Sequence, residues 1–147
     1  MFDFGLYMVD FAERLTYIQH TQSLPRFHRV SGIASLAALL SNQAHTTGYQ
    51  LVIEENYNGR FSNNLSQNWL NIRQYSFYVV KKADAMDSAD MESVKEGWFL
   101  VSGKVIAKLK SDHLSDHRGL TANGLRNLDT QNIRYASIGP VGDHFYG

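Results

Sequence analysis

Tyr75-Ser76-Phe77-Tyr78-Val79-Val80 leads through Asp84-Ala85-Met86-Asp87-Ser88 into an unbroken run that ends at Lys110. The first six residues are aromatic or β-branched, a composition suited to a pleated, half-buried surface, so they predict a strand. Asp84 to Ser88 ends it and supplies carboxylate and hydroxyl groups able to cap the free backbone N–H groups of a helix. From Met91 the apolar residues recur as Val94, Trp98, Val101, Val105 and Leu109, steps of three or four that share one side of a 3.6-residue helix. Asp87, Asp90 and Glu92 sit at its start and Lys104, Lys108 and Lys110 at its end, each sign facing the favourable pole of the helix dipole. The spacing predicts a helix over about residues 87–110 that anchors the fold. Gly97 and Gly103 fall inside it at about 1 kcal/mol each relative to alanine, which points to a close neighbour or a bend.

Upstream, Leu6, Val9, Phe11, Leu15 and Ile18 predict a helix over Asp3–Gln19, and Ile33, Leu36, Ala37 and Leu40 a second over Gly32–Gln43. Between them His20 to Arg29 reads as a polar connection, with Pro25 biasing Leu24 away from helix. Tyr49–Glu54 reads as a strand and Asn56–Asn64 as a turn, with Asn58-Gly59 a hairpin dipeptide. Trp69-Leu70-Asn71-Ile72 either opens the following strand or belongs to the loop. Downstream, Ser111–Gly124 is polar and loop-like. Gly124–Leu128 and Ile133–Ile138 predict two further strands, and Gly139–Gly147 is a turn leading into Phe145-Tyr146. That pair either begins an edge strand or is left open for a partner, because one more strand is expected where the chain stops.

This order gives an α+β fold: a mainly antiparallel sheet packed by one long helix plus the N-terminal helices, in a single domain over 1–147. One face of the sheet is expected to be partly wet or covered by another subunit. With 44% hydrophobic and 19% charged residues among 147, the composition is that of a globular chain able to bury roughly two thirds of its unfolded surface. Fourteen basic and fourteen acidic side chains cancel, which argues against direct nucleic-acid readout or attachment to an anionic membrane. All six lysines lie between Lys81 and Lys110, interleaved with carboxylates as on a solvated helix. Cysteine is absent, which removes disulfides, thiol catalysis and cysteine-ligated zinc. The longest apolar run, Ile33 to Leu40, is too short to span a bilayer, and the N-terminus carries no positive leader, so synthesis in the cytoplasm is expected.

No phosphate-binding glycine loop and no nucleophile elbow occurs, and no cofactor is expected. Ser111-Asp112-His113 echoes Ser115-Asp116-His117. On a continued helix His113 and His117 would share a face with Asp116 beside them, a metal candidate that lacks further ligands. A hydrated loop at the helix end explains the same residues. His20, Thr21, Arg26, His28 and Arg29 form a second polar group, suited to a small anion or to bonds within the chain. Asp84, Asp87 and Asp90 read as helix caps, since the glycine turn and bidentate glutamate of a calcium loop are missing. Trp98-Phe99-Leu100-Val101 is more apolar than one buried stripe needs, so Trp98 and Phe99, with Phe145 and Tyr146, are candidates for a subunit interface.

Ile18-Gln19-His20-Thr21, Pro25-Arg26-Phe27, Tyr75–Val80, the long helix, and Ile138-Gly139-Pro140-Val141 before Phe145-Tyr146-Gly147 resemble small prophage-encoded proteins of Bacteroides-type bacteria. Their layout, a mixed sheet with a long helix and an extended arm, is similar to tail-completion or tail-terminator proteins of long-tailed phages. The resemblance rests on order and spacing along most of the chain. It implies a non-enzymatic, ring-forming subunit at a tail or head–tail junction, present in the bacterial cytoplasm during assembly and then in the virion. Its partners would be copies of itself and other tail or connector proteins. The alternatives are a small metal-binding hydrolase using His113, Asp116 and His117, and a host-side module that binds a partner strand at an exposed sheet edge.

Overall fold

A computed structural model describes residues 3–42, 48–63, 69–115, 133–142 and 144–147. Three helices, α1 (Phe4–Arg14), α2 (Ile33–Asn42) and α3 (Ser88–Ser115), combine with four strands, β1 (Phe27–Val30), β2 (Gln50–Asn63), β3 (Trp69–Lys82) and β4 (Phe145–Tyr146). The strands form one sheet in the order β1-β2-β3-β4. β1 runs parallel to β2, and the β2/β3 and β3/β4 pairs are antiparallel. The expected α+β class with a mostly antiparallel sheet is therefore observed. The parallel pair was not expected. It arises because residues 27–30, read as connection, form a strand, with α2 as the crossover that a parallel pair requires.

Alternation along the strands sorts the core into two layers. Phe27, Leu51, Ile53 and Val79 face α1 and α3, where Phe4, Tyr7, Met8, Phe11, Val101, Val105 and Leu109 bury themselves. Val30, Val52 and Val80 face the other way, against Leu36 and Leu40 of α2 and the fully buried Phe145 ring. Around Val30, Val52 and Val80 the second face is thus covered by the chain itself, while Glu54, Ser76 and Tyr78 on the same face are only half-buried.

α1 starts at Asp3, whose carboxylate accepts the Leu6 N–H at 2.9 Å. It stops at Arg14, short of the expected Gln19, because Leu15 turns to an extended conformation and the chain folds back to bury Ile18. α3 begins after Asp87, whose Oδ1 accepts the Ala89 and Asp90 N–H groups, and runs five residues beyond Lys110 to Ser115. Residues 111–115, expected as loop, stay helical, and Asp112 there bonds Tyr7 of α1. Gly97 is explained by Tyr49, whose ring occupies the space a Cβ would need and whose O–H donates to Val94 O at 3.4 Å.

The β2/β3 pair is longer than expected at both ends of its connection. Asn58 and Gly59 pair with Gln74 and Arg73 inside the ladder instead of forming a hairpin turn, and Trp69–Ile72 belong to β3. The register shifts between Glu54 and Asn58, an irregularity of the bulge kind that increases local twist. Ile133–Ile138 is not a strand. The second expected strand, Gly124–Leu128, lies outside the described residues. At the C-terminus Ile138 and Gly147 exchange N–H···O bonds of 2.7 and 3.0 Å, and Val141 and Phe145 exchange bonds of 2.8 and 3.1 Å. This closes a small hairpin whose Gly142, at positive φ, lies against Leu40 and Ser41 of α2.

Candidate functional site

Two surface features stand outside the packing that explains the rest of the molecule. One is an arm. β1 pairs with β2 only along Leu51–Glu54, and β4 with β3 only at Lys81 and Lys82. The six pairs from Asn58↔Gln74 to Asn63↔Trp69 therefore form a two-stranded ribbon beyond the sheet, roughly 20 Å long at the usual rise per residue. Among the described residues no further strand pairs with either of its edges. A ribbon of two strands is at best marginally stable in water, and edge backbone groups are ready templates for another chain.

The other is the outward side of α3. Val94, Val101, Val105 and Leu109 are buried on the sheet side, with Trp98 half-buried beside them. Phe99 points away and is 68% exposed, and Leu100 is also exposed. Tyr135, 87% exposed, meets Phe99 edge-on with ring centroids 6.3 Å apart. Among the proposed interface residues, Phe99 is thus at the surface while Trp98 and Tyr146 are half-buried. Phe145 is a core plug between α2 and the sheet, so its ring is not a surface contact in this fold. The sheet edge at Phe145–Tyr146 is likewise occupied, by Ile138 and Val141 of the same chain.

Most groups of the polar clusters make internal bonds, while Arg26 Nε and Gln50 Nε2 are buried without a hydrogen-bond partner among the described residues. His20 Nδ1 accepts the Arg26 and Phe27 N–H groups at 3.0 and 3.1 Å, which puts its ring proton on Nε2 and covers the start of edge strand β1. Arg26 Nη1 donates to Ile18 O at 3.1 Å. His28 lies in the interior with Nε2 3.0 Å from Gln50 Oε1. Burial holds its pKa below the usual histidine value, against the opposing effect of the Gln50 bond. Arg29 bonds both Glu55 and Asp3, linking β1, β2 and the start of α1. Burial works against its charge, but these two carboxylates outweigh it and raise its pKa. The group expected as an anion site is dispersed over these separate bonds, with Arg29 already held by two carboxylates.

A further cluster was missed by sequence reasoning because residues 111–115 read as loop. Asp112, buried near the end of α3, accepts from the Tyr7 O–H on α1 and from Lys108 Nζ at 2.9 Å. The Lys108 ammonium also lies 5.4 Å from the Tyr7 ring centroid and 5.7 Å from that of Phe11. Burial first, and then the Asp112 charge, push the Tyr7 hydroxyl well above the usual phenol range. The i,i+4 spacing of Lys108 and Asp112 was the available signal. On the opposite sheet face Tyr78 donates to Glu54 Oε2 at 2.8 Å, and burial together with that carboxylate raises its pKa to about 12. His113 falls on the last turn of α3 with its side chain outside the description, and Asp116 and His117 lie outside the described residues altogether. Among the described residues no group of three or more His, Cys, Asp or Glu is arranged to hold a metal. Nor is any described helix long and apolar enough to cross a membrane.

No protein-family model matches the chain, and no curated protein or solved structure matches it at a significant level.

Proposed function

We propose that the chain is a non-enzymatic structural subunit of a phage or prophage tail or connector, of the tail-completion or tail-terminator kind. It acts by assembling with copies of itself and with other tail or connector proteins, first in the bacterial cytoplasm and then in the virion. The observation that carries this reading is the projecting ribbon of Asn58–Asn63 and Trp69–Gln74. An arm with no further strand on either edge among the described residues gains stability when a neighbouring subunit supplies a strand or a covering surface. A head-to-tail contact of that sort closes into a ring when its rotation permits. The exposed Phe99–Tyr135 pair adds apolar surface of the type found at contacts between proteins.

Two experiments test the reading. Antibody labelling of purified phage particles in the electron microscope should place the protein at the tail end or the head–tail junction. Particles assembled normally without the protein would contradict this. Sedimentation and negative-stain imaging of the purified chain should give closed oligomers at raised concentration, and a strict monomer at every concentration counts against assembly by this chain alone.

A further inference from the structure

The outward side of α3 carries a pattern that is complementary to itself. Glu92, Glu96, Phe99, Gly103, Ile106 and Lys110 follow one another in steps of four and three residues, the spacing of a seam along one helix face. At 3.6 residues per turn this seam lies on the opposite side of the helix from Val94, Val101, Val105 and Leu109. Five of the six are exposed and Ile106 is half-buried. The seam is acidic at its N-terminal end, apolar in the middle and basic at its C-terminal end. Phe99 projects at its centre, 68% exposed, while among the described residues nothing lies within 4 Å of where a Cβ on Gly103, one turn on, would stand.

From this geometry we infer that α3 is a docking surface for α3 of a second copy of the chain, packed antiparallel across a two-fold axis near Val101. The inference rests on the reading of the chain as an assembling subunit. With that midpoint Glu92 of each copy faces Lys110 of the other, Glu96 faces Ile106, and Phe99 fits over Gly103. A single axis generates all of these pairings, as an isologous interface requires, with Glu92–Lys110 and Phe99–Gly103 the complementary ones. Charge selects the direction: a parallel pair would set Glu92 and Glu96 against themselves and Lys110 against itself, which is repulsive at both ends. Within one helix Glu92 also lies 3.6 Å from Lys95, a contact between two exposed side chains that is weak on its own. Tyr135 extends the apolar centre beside Phe99.

Cysteine is absent from the chain, so paired substitutions give an unambiguous test. Oxidation of Glu92→Cys/Lys110→Cys should yield a covalent dimer, as should a mixture of the two single variants. Either single variant alone should give almost none, because its two cysteines would lie roughly 27 Å apart along the helix pair. In sedimentation, Phe99→Ser should weaken self-association at least about tenfold. Glu92→Lys and Lys110→Glu should each weaken it, and the double exchange should restore it. Circular dichroism checks that each exposed variant keeps its helix. Association that persists unchanged through Phe99→Ser and both charge reversals overturns the α3 contact and leaves the assembling-subunit reading standing. Wild-type protein that never associates overturns the contact as well, and particle labelling then decides the functional reading separately.

Discussion

The two sides of α3 obey different rules. On the sheet side the packing explains the residues: Val94, Val101, Val105 and Leu109 are buried, Tyr49 fills the space over Gly97, and Asp112 accepts hydrogen bonds from Tyr7 and Lys108, while Trp98 Nε1 is buried without a hydrogen-bond partner among the described residues. On the far side Phe99 and Leu100 face outward, and none of the described residues lies over Gly103. Both sides satisfy the same helical backbone, yet only one is needed to hold the helix on the sheet. The exposed Phe99 and Leu100 on the outer side are the observation on which the proposed α3 contact rests.

That contrast can be broken from the inside first. Leu109→Ala removes a buried side chain and should cost about 3 kcal/mol in urea unfolding, whereas a loss near zero would mean the inner side does not anchor α3. Asp112→Ala removes the acceptor shared by Tyr7 and Lys108 and should cost about 2 kcal/mol by the same measurement. The Tyr7 hydroxyl gives the contrast a pH signature. Its folded pKa lies above the unfolded value near 10, so the unfolded chain loses its proton first. The stabilisation is complete below pH 10 and declines as pH rises beyond it. For this one group the slope approaches about 1.4 kcal/mol per pH unit, and Tyr7→Phe should flatten the unfolding profile by that amount. On the outer side the sign reverses: Gly103→Ala should stabilise the monomer by up to about 1 kcal/mol, since no described residue occupies the space its methyl would enter.

How much of this is legible in sequence depends on how local the signal is. The inner stripe of α3 and the Tyr75–Val80 strand are readable because period and composition agree over many residues. β1 is not: four residues containing His28 and Arg29 carry a strand only because Gln50, Asp3 and Glu55 provide partners from elsewhere. Asn58-Gly59 suggests a turn by composition, but pairing with Gln74 and Arg73 overrides it. Ile133–Ile138 has strand composition without a strand. In that segment Ile138 bonds Gly147, while β3 takes Phe145–Tyr146 as its neighbour. Phe145 illustrates the same limit at the candidate site. As an aromatic near the end of the chain it reads as surface, and only the fold of residues 138–147 shows it plugging the space beside Leu36 and Leu40. The surplus of apolar residues at 98–101 is visible in sequence, but only the helix phase separates Val101 inside from Phe99 outside.

The separation of fold from assembly on α3 is tested most directly by measuring both on one variant, Phe99→Ser. Urea unfolding at a concentration where the chain is monomeric should match the wild type within about 0.5 kcal/mol, while sedimentation should show self-association weakened at least about tenfold. A variant that unfolds markedly more easily yet associates as before would place Phe99 in the monomer's own packing and contradict the account.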